Sequence, residues 1–225
     1  MSLQSSKAPQ RSNGKHADQA FGEIASGAPR HFLDLKDIPA AELKRILEAA
    51  QGRKERRAGL PKGAVDEDRL LEGYVLALWF EKESTRTRVS FDVGMRQLGG
   101  QTLFMSGKDM HLGRGETVAD TARVLSRYVD AVMIRCGAHD DILEVADHAS
   151  IPVINGLTGY SHPCQLMADM LTLKEHFGSV EGLKVAWSGD GNNMTTSWVQ
   201  AAALFDFELR IACPRDLAVD EAVIA

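Results

Sequence analysis

A cationic, hydroxyl-rich turn follows a strongly apolar segment in the first half of the chain. The apolar segment is Tyr74–Phe80, and the turn at Ser84–Arg88 reads S-T-R-T-R. A hydroxyl at Ser84 or Thr85 can cap a helix, whose first N–H groups carry partial positive charge and bind phosphate well. Arg86 adds a guanidinium that can hold two phosphate oxygens at once. These residue types predict an anion site, and the alternative is a helix cap with solvated charges.

Arg88 lies two residues beyond Arg86, so the two side chains should not share a helix face. We therefore interpret Arg88 as structural. Other polar groups follow later apolar segments of the chain. They are Arg135, the H-P-C-Q residues His162 and Gln165, and Asn193 at the end of G-D-G-N-N.

Apolar runs and helical periodicities alternate along the chain. The predicted strands are residues 74–80, 101–105, 130–135, 151–154, 183–187 and 207–212. The predicted helices lie near residues 39–50, 85–98, 118–125, 140–148, 162–176 and 194–205. This alternation predicts an α/β fold of mostly parallel sheets with helices on both faces. Because ligands bind at the carboxyl ends of such strands, we expect the polar groups to meet at one sheet edge.

The composition excludes several classes of protein. The net charge of -5 argues against a general nucleic-acid binder, and no apolar run is long enough for a membrane helix. Three widely separated cysteines, Cys136, Cys164 and Cys213, have no metal-ligand spacing. We expect reduced thiols, no metal site and a cytoplasmic location.

The first 29 residues are rich in Ser, Lys, Gln, Ala and Gly and poor in large apolar side chains. Such a stretch buries too little surface to offset its ordering entropy, so we predict a disordered N-terminal tail, residues 1–29. The alternative is a mitochondrial transit peptide. Asp18 and Glu23 count against that alternative, because such peptides are poor in acidic residues.

Four stretches resemble, in the same order, signatures of the aspartate/ornithine carbamoyltransferase family, and the ornithine enzymes most of all. They are FEKESTRTRVSF, LGRGETVADTARVLSRY, NGLTGYSHPCQLMADMLTL and GDGNN. The resemblance covers about residues 31–215 and implies two similar α/β domains, the second incomplete in this chain. It implies a carbamoyl phosphate-binding domain at residues 30–162 and the start of an ornithine-binding domain at residues 163–225.

The same resemblance assigns roles to individual residues. It implies that Ser84, Thr85, Arg86 and Thr87 bind the phosphate of carbamoyl phosphate. It implies that Arg135, His162 and Gln165 bind the carbamoyl group and are catalytic. It also implies that His111 reaches the phosphate site of a neighbouring subunit and that Asn193 binds ornithine. The alternatives are structural: a surface ion pair at Arg135, a helix start at His162, a surface amide at Gln165 and a plain loop histidine at His111.

The reaction implied by the resemblance is transfer of a carbamoyl group from carbamoyl phosphate to the side-chain amine of ornithine, giving citrulline and phosphate. It belongs to arginine biosynthesis or to the reverse catabolic route, and needs no cofactor and no metal. The implied assembly is a homotrimer or a multiple of trimers, with no nucleic-acid or membrane partner.

Two other functions stay open. One is a non-catalytic relative that still binds anions. The other is a dinucleotide-binding domain built on S-G-D-G-N-N-M, in which Met194 stands where the third glycine of the fingerprint is expected.

The family's D-x-x-x-S-M and H-C-L-P segments do not occur in the sequence. Because the first of these grips the amino-acid part of ornithine, the amine substrate stays open. Acetylornithine, succinylornithine, putrescine and aspartate are the alternatives. We expect the chain to be a fragment of a longer protein.

Overall fold

The computed structural model describes residues 29–107 and 115–224. The strands are β1 (Val75–Phe80), β2 (Gln101–Ser106), β3 (Ala131–Arg135), β4 (Val153–Leu157), β5 (Lys184–Ser188) and β6 (Glu208–Ala212). The helices are α1 (Ala40–Arg56), α2 (Thr85–Gln97), α3 (Val118–Leu125), α4 (His139–His148), α5 (Pro163–Phe177), α6 (Asn193–Phe205) and α7 (Glu221–Ile224). Two short 3₁₀ turns, Leu35–Asp37 and Arg215–Leu217, complete the order.

The first sheet has the strand order β2-β1-β3-β4, and every pairing in it is parallel. Successive side chains of β1 point to opposite faces. Ala77 and Trp79 pack in a core with residues of α3 and α4, whereas Leu76 and Leu78 pack in another with residues of α2. The predicted parallel sheet with helices on both faces is therefore confirmed.

A third core lies between α1, α5, α6 and the parallel pair β5–β6. Leu43 and Leu47 of α1 are buried in it together with Leu166 of α5 and Phe205 of α6. The helix nearest the amino terminus thus packs against the part of the chain that begins after residue 162. The domain boundary near residue 162 stays a prediction.

Strand β4 extends further than its sequence pattern indicates. Residues 151–154 are the predicted strand, but the observed strand includes Asn155, Gly156 and Leu157. Asn155 is tolerated in the interior because its amide donates to the Leu33 carbonyl, 2.9 Å, and to the Ser161 hydroxyl, 3.0 Å. Because other segments accept from the Nδ2 of this polar residue, the strand continues through a position where the sequence alone predicts its end.

The pairing of β3 with β4 shifts by one residue at Gly156, so that Ile134 lies opposite Asn155 and Arg135 opposite Leu157. A Cβ at Gly156 would lie 2.2 Å from the Met133 sulfur, which explains glycine at the irregularity. Bulges of this kind re-aim side chains at strand ends. Here the irregularity falls beside Arg135, at the carboxyl edge of the sheet.

Within residues 29–107 and 115–224, no helix is both long enough and apolar enough to cross a membrane.

Candidate active site

Ser84 caps α2 from an extended conformation, as the hydroxyl-rich turn predicts. Its oxygen accepts a hydrogen bond from the Thr87 backbone N–H, 3.3 Å, and its hydroxyl donates to Thr87 Oγ1, 2.9 Å. The first turn of α2 contains no acidic residue. The partial positive charge at this helix end is therefore not neutralised by its own first turn.

Arg135 approaches the turn from the end of β3. Its Nη1 donates to Thr87 Oγ1, 3.3 Å, so both lone pairs of that oxygen are engaged and the Thr87 proton stays available to a ligand. Burial, and then the nearby positive charge of Arg86, lower the pKa of Arg135. Two guanidinium groups held close together favour an anion between them.

His162 lies immediately before α5, with Pro163 at the first helical position. Its backbone N–H donates to the Ser197 hydroxyl of α6, 2.7 Å, which fixes where the helix begins. Burial, and then the charge of Arg135, lower the pKa of the His162 imidazole to about 4. The ring is therefore neutral at pH 7 and carries one N–H that can donate to a ligand.

Gln165 lies one turn into α5, where its Nε2 donates to Asp169 Oδ1, 2.9 Å. An ionised carboxylate only accepts hydrogen bonds, so this contact leaves the Gln165 carbonyl oxygen as the free acceptor. Burial raises the pKa of Asp169, and the bond from Gln165 opposes that shift. Sequence reasoning missed Asp169, although its i+4 spacing from Gln165 places both on one helix face.

These residues surround a cavity of about 400 Å³. The predicted site residues that line it are Ser84, Arg86, Thr87, Arg135, His162 and Gln165. Asp169, Leu157, Trp187, Met194 and Trp198 complete the lining. The volume suits small polar substrates, and the two indoles provide an apolar wall that no motif in the sequence signalled.

Three predicted residues are not among those lining the cavity. Thr85 lines a neighbouring cavity of about 420 Å³ together with Arg88 and Phe104. The Arg88 guanidinium lies 3.7 Å from the Phe104 ring centre, which agrees with its interpretation as structural. Asn193 begins α6 and donates its Nδ2 to the Thr158 carbonyl, 2.9 Å. His111 lies outside the described residues.

Thiol and metal chemistry receive no support from the described part of the chain. Cys164 stands inside the H-P-C-Q turn, but burial raises its pKa to about 12, as it does for Cys136. Thiols with such pKa values are poor nucleophiles. Across residues 29–107 and 115–224, no group of three or more His, Cys, Asp or Glu could hold a metal ion.

Two family models match the chain in succession. Residues 30–175 match the aspartate/ornithine carbamoyltransferase carbamoyl-P binding domain. The chain belongs to the aspartate/ornithine carbamoyltransferase family. Residues 181–225 match the Asp/Orn binding domain of the same family. The resemblance to this family that the sequence motifs indicate is therefore confirmed.

Individual family members agree with the domain matches. Ornithine carbamoyltransferase from Rhodopseudomonas palustris is 56% identical over 193 residues, which are 86% of this chain and 62% of that protein. The enzyme of the same name from Brucella ovis is 59% identical over 186 residues, 83% of this chain and 58% of that protein. The chain thus spans about three fifths of the length of these relatives.

Solved structures show the same fold. The ornithine carbamoyltransferase from Pyrococcus furiosus matches with a TM-score of 0.81 and 47% identity, over 89% of this chain and 63% of that one. The structure from Thermus thermophilus matches with a TM-score of 0.80 and 38% identity, over 88% of this chain and 66% of that one.

Proposed function

We propose that this protein transfers the carbamoyl group of carbamoyl phosphate to the side-chain amine of ornithine, giving citrulline and phosphate. One observation carries the proposal: a single cavity combines two guanidinium groups and a helix N-terminus without acidic residues with a neutral imidazole and an oriented amide. The relatives named ornithine carbamoyltransferase support the choice of reaction.

The phosphate lies against Arg86 and the first N–H groups of α2 in this proposal. Arg86 is exposed, and its charge acts on Arg135 across the cavity. A dianionic phosphate group placed between the two relieves their repulsion. This side of the cavity then stabilises the negative charge that accumulates on phosphate as it departs.

The carbonyl oxygen of carbamoyl phosphate receives hydrogen bonds from Thr87, Arg135 and His162. The Thr87 hydroxyl keeps its proton free, and His162 is a neutral donor that adds no charge requiring compensation. When the ornithine amine attacks the carbonyl carbon, negative charge develops on this oxygen. Donors placed in advance around it lower the barrier as an oxyanion hole does.

Gln165 orients the carbamoyl NH2. Since Asp169 accepts a hydrogen bond from the Gln165 amide nitrogen, the Gln165 carbonyl oxygen is left to accept from that NH2. The attacking amine must be uncharged and must lose a proton once the new C–N bond forms. The C–O bond to phosphate then breaks. Its electron pair stays on the departing phosphate, which takes that proton and leaves as hydrogen phosphate.

Ornithine is proposed as the amine, with Asn193 as one of its ligands. The test is to supply the native gene product with carbamoyl phosphate and, separately, ornithine, acetylornithine, succinylornithine, putrescine and aspartate. We expect citrulline from ornithine and far slower reactions with the others. Carbamoyl-aspartate without citrulline, or no product from any amine together with binding of a reduced nicotinamide cofactor, would contradict the proposal. If citrulline is formed, a requirement for the gene in growth without arginine would distinguish a role in biosynthesis from a role in the reverse catabolic route.

We also propose a cytoplasmic homotrimer, or a multiple of trimers, in which His111 completes a neighbour's phosphate site. The edge strand β2 supports an interface, because Leu103 and Phe104 are exposed there at 46% and 41% beside exposed Val89 of α2. A closed ring lets each subunit give one loop and receive another.

Mixing tests the shared site. Arg86→Leu and His111→Ala chains should each be inactive alone, whereas mixed trimers should recover part of the activity, since one interface combines an intact Arg86 with an intact His111. Confirmed subunit exchange without recovery would place His111 in its own subunit's site or outside catalysis.

A further inference from the structure

Thr158 is a fully buried residue between β4 and His162, and its hydroxyl has a definite hydrogen-bond arrangement. The oxygen accepts from the backbone N–H groups of Tyr160 and Ser161, both at 3.2 Å. A hydroxyl has two lone pairs and one proton, so the proton still needs an acceptor. His139 Nδ1 lies 2.9 Å away and can accept it. A neutral His139 must then carry its own proton on Nε2.

The other ring nitrogen of His139 faces a buried carboxylate. Nε2 lies 3.5 Å from Asp34 Oδ2, a distance too long for a strong hydrogen bond but close enough to orient the ring. Asp34 is 2% exposed. The Tyr160 ring packs on the imidazole at 4.8 Å. Asp37 interacts electrostatically with both Asp34 and His139, and Lys36 Nζ lies 5.5 Å from the Tyr160 ring centre.

Both Asp34 and Thr158 connect to α6, the helix that begins at Asn193. Beside Asp34, the Leu35 N–H donates to Gln200 Oε1, 3.2 Å. The Thr158 carbonyl accepts from Asn193 Nδ2 at 2.9 Å. The orientation of the Asn193 amide thus depends on the position of the Thr158 backbone, which the hydroxyl contacts determine.

We propose that Asp34 and His139 are positioning residues, which hold the turn at Thr158 and through its carbonyl set the Asn193 side chain for the amine substrate. Neither residue lines the cavity. The part of this inference that concerns the amine rests on the proposed function. The hydrogen-bond arrangement itself does not, and the two are tested separately.

The arrangement is tested by the ¹⁵N and ¹H spectra of the His139 imidazole at pH 8, in the native gene product with labelled histidine. The signal lost in His139→Asn identifies this ring among the histidines of the protein. We expect the tautomer with the proton on Nε2 and an unprotonated Nδ1. A proton on Nδ1 would overturn the proposal without any reference to activity.

The positioning role is tested with two matched pairs. Thr158→Val keeps the shape but removes the hydroxyl, whereas Thr158→Ser keeps the hydroxyl. His139→Leu removes the acceptor, whereas His139→Asn can return an oxygen near the place of Nδ1. The first member of each pair should shift the Asn193 side-chain NH2 resonances and raise the KM for ornithine about tenfold, with a change in the KM for carbamoyl phosphate below about twofold. The second member should restore most of both.

The possible results separate the proposed function, the hydrogen-bond arrangement and the positioning role from one another. If the parent protein makes no citrulline, the proposed function fails, and the tautomer together with the Asn193 resonances still judges the hydrogen-bond arrangement. If the parent is active and the resonances shift while the KM for ornithine stays unchanged, the positioning role is wrong. If Thr158→Val does not fold, the His139 pair and the parent spectrum decide. Equal increases in both KM values would indicate a general structural role and would also overturn the proposal.

Discussion

The two sides of the cavity differ in charge and in how they are held. On the side where we propose that phosphate binds, Ser84, Thr87 and Arg135 are joined by hydrogen bonds to one another, and the charges of Arg86 and Arg135 lie close together. The opposite side presents His162, neutral at pH 7, an amide bonded to a carboxylate, and two indoles. One side is built to stabilise charge, the other to orient a neutral group and limit water. Substitutions should therefore affect the two sides differently.

Arg86→Leu should produce the largest effect, because it removes from the charged side the guanidinium that we propose contacts the phosphate. We expect kcat/KM to fall by about a thousandfold or more, with a weaker affinity for carbamoyl phosphate and an unchanged circular dichroism spectrum. Arg88→Leu is the matched control, because it removes the same charge from the same turn. The Arg88 guanidinium packs on Phe104 and is not among the groups that line the cavity. If the kinetics of Arg86→Leu stay close to those of the parent protein, the turn acts only as a helix cap and does not bind phosphate.

Thr87→Val should come next, because it removes the proposed donor to the carbonyl oxygen and the partner of both Ser84 and Arg135. A loss of about a hundredfold in kcat is expected from one missing oxyanion donor. Thr87→Ser retains the hydroxyl and should recover most of the rate. Steady-state kinetics of the two variants make the comparison, and equal rates in both would exclude the hydroxyl from catalysis.

The charged side of the cavity was largely predictable from sequence, whereas the orienting side was not. Ser84, Arg86 and Thr87 stand in one short turn after an obvious strand, so local chemistry and the general placement of ligands in α/β sheets locate them. Trp187 and Trp198 come from different elements and carry no local signal, because each could equally be a core residue. Their place in the wall follows from the packing of the chain after residue 162.

Two further differences have physical reasons. The sequence places Asn155 after a strand, yet the strand continues through it, because its Nδ2 donates to the Leu33 carbonyl and the Ser161 hydroxyl. Asn193 stays a predicted ornithine ligand, and its Nδ2 is engaged by the Thr158 carbonyl, a contact that its position in the sequence does not indicate. In both cases the deciding contact joins segments that only the tertiary fold brings together, and no periodicity in the sequence can show it.

The stability of the protein should respond to acid through His162. Its pKa is about 4 in the folded chain, below the ordinary value of 6.5. The unfolded chain therefore binds a proton here that the folded chain excludes. The contribution of His162 to the free energy of unfolding is fully present above about pH 6.5 and is lost as the pH falls toward 4.

Urea midpoints at pH 7.5 and pH 5 measure this dependence. The parent should lose more stability between the two values than His162→Gln, which has no proton to bind. His176→Gln removes an exposed histidine from the other end of α5 and should keep the slope of the parent. Identical slopes in the parent and His162→Gln would contradict the depressed pKa.

Asp169→Asn should produce the smallest loss of activity and, at neutral pH, a gain in stability. Burial raises the pKa of Asp169 above the unfolded value of 3.8, so the stability linked to this group is present below that value and is lost as the pH rises through the folded pKa. An amide at this position removes the buried charge, and the melting temperature at pH 7 should rise.

The same amide can donate as well as accept, so it no longer dictates which end of the Gln165 side chain faces it. The Gln165 amide can then turn and present its NH2 to the carbamoyl NH2, where no hydrogen bond forms. We expect kcat/KM for carbamoyl phosphate to fall by about tenfold or less, and by less than in Gln165→Ala. A variant that is less stable at pH 7 with unchanged kinetics would mean that Asp169 supports the fold of α5 and does not orient Gln165, and the orienting side of the cavity would then consist of His162 and the indoles alone.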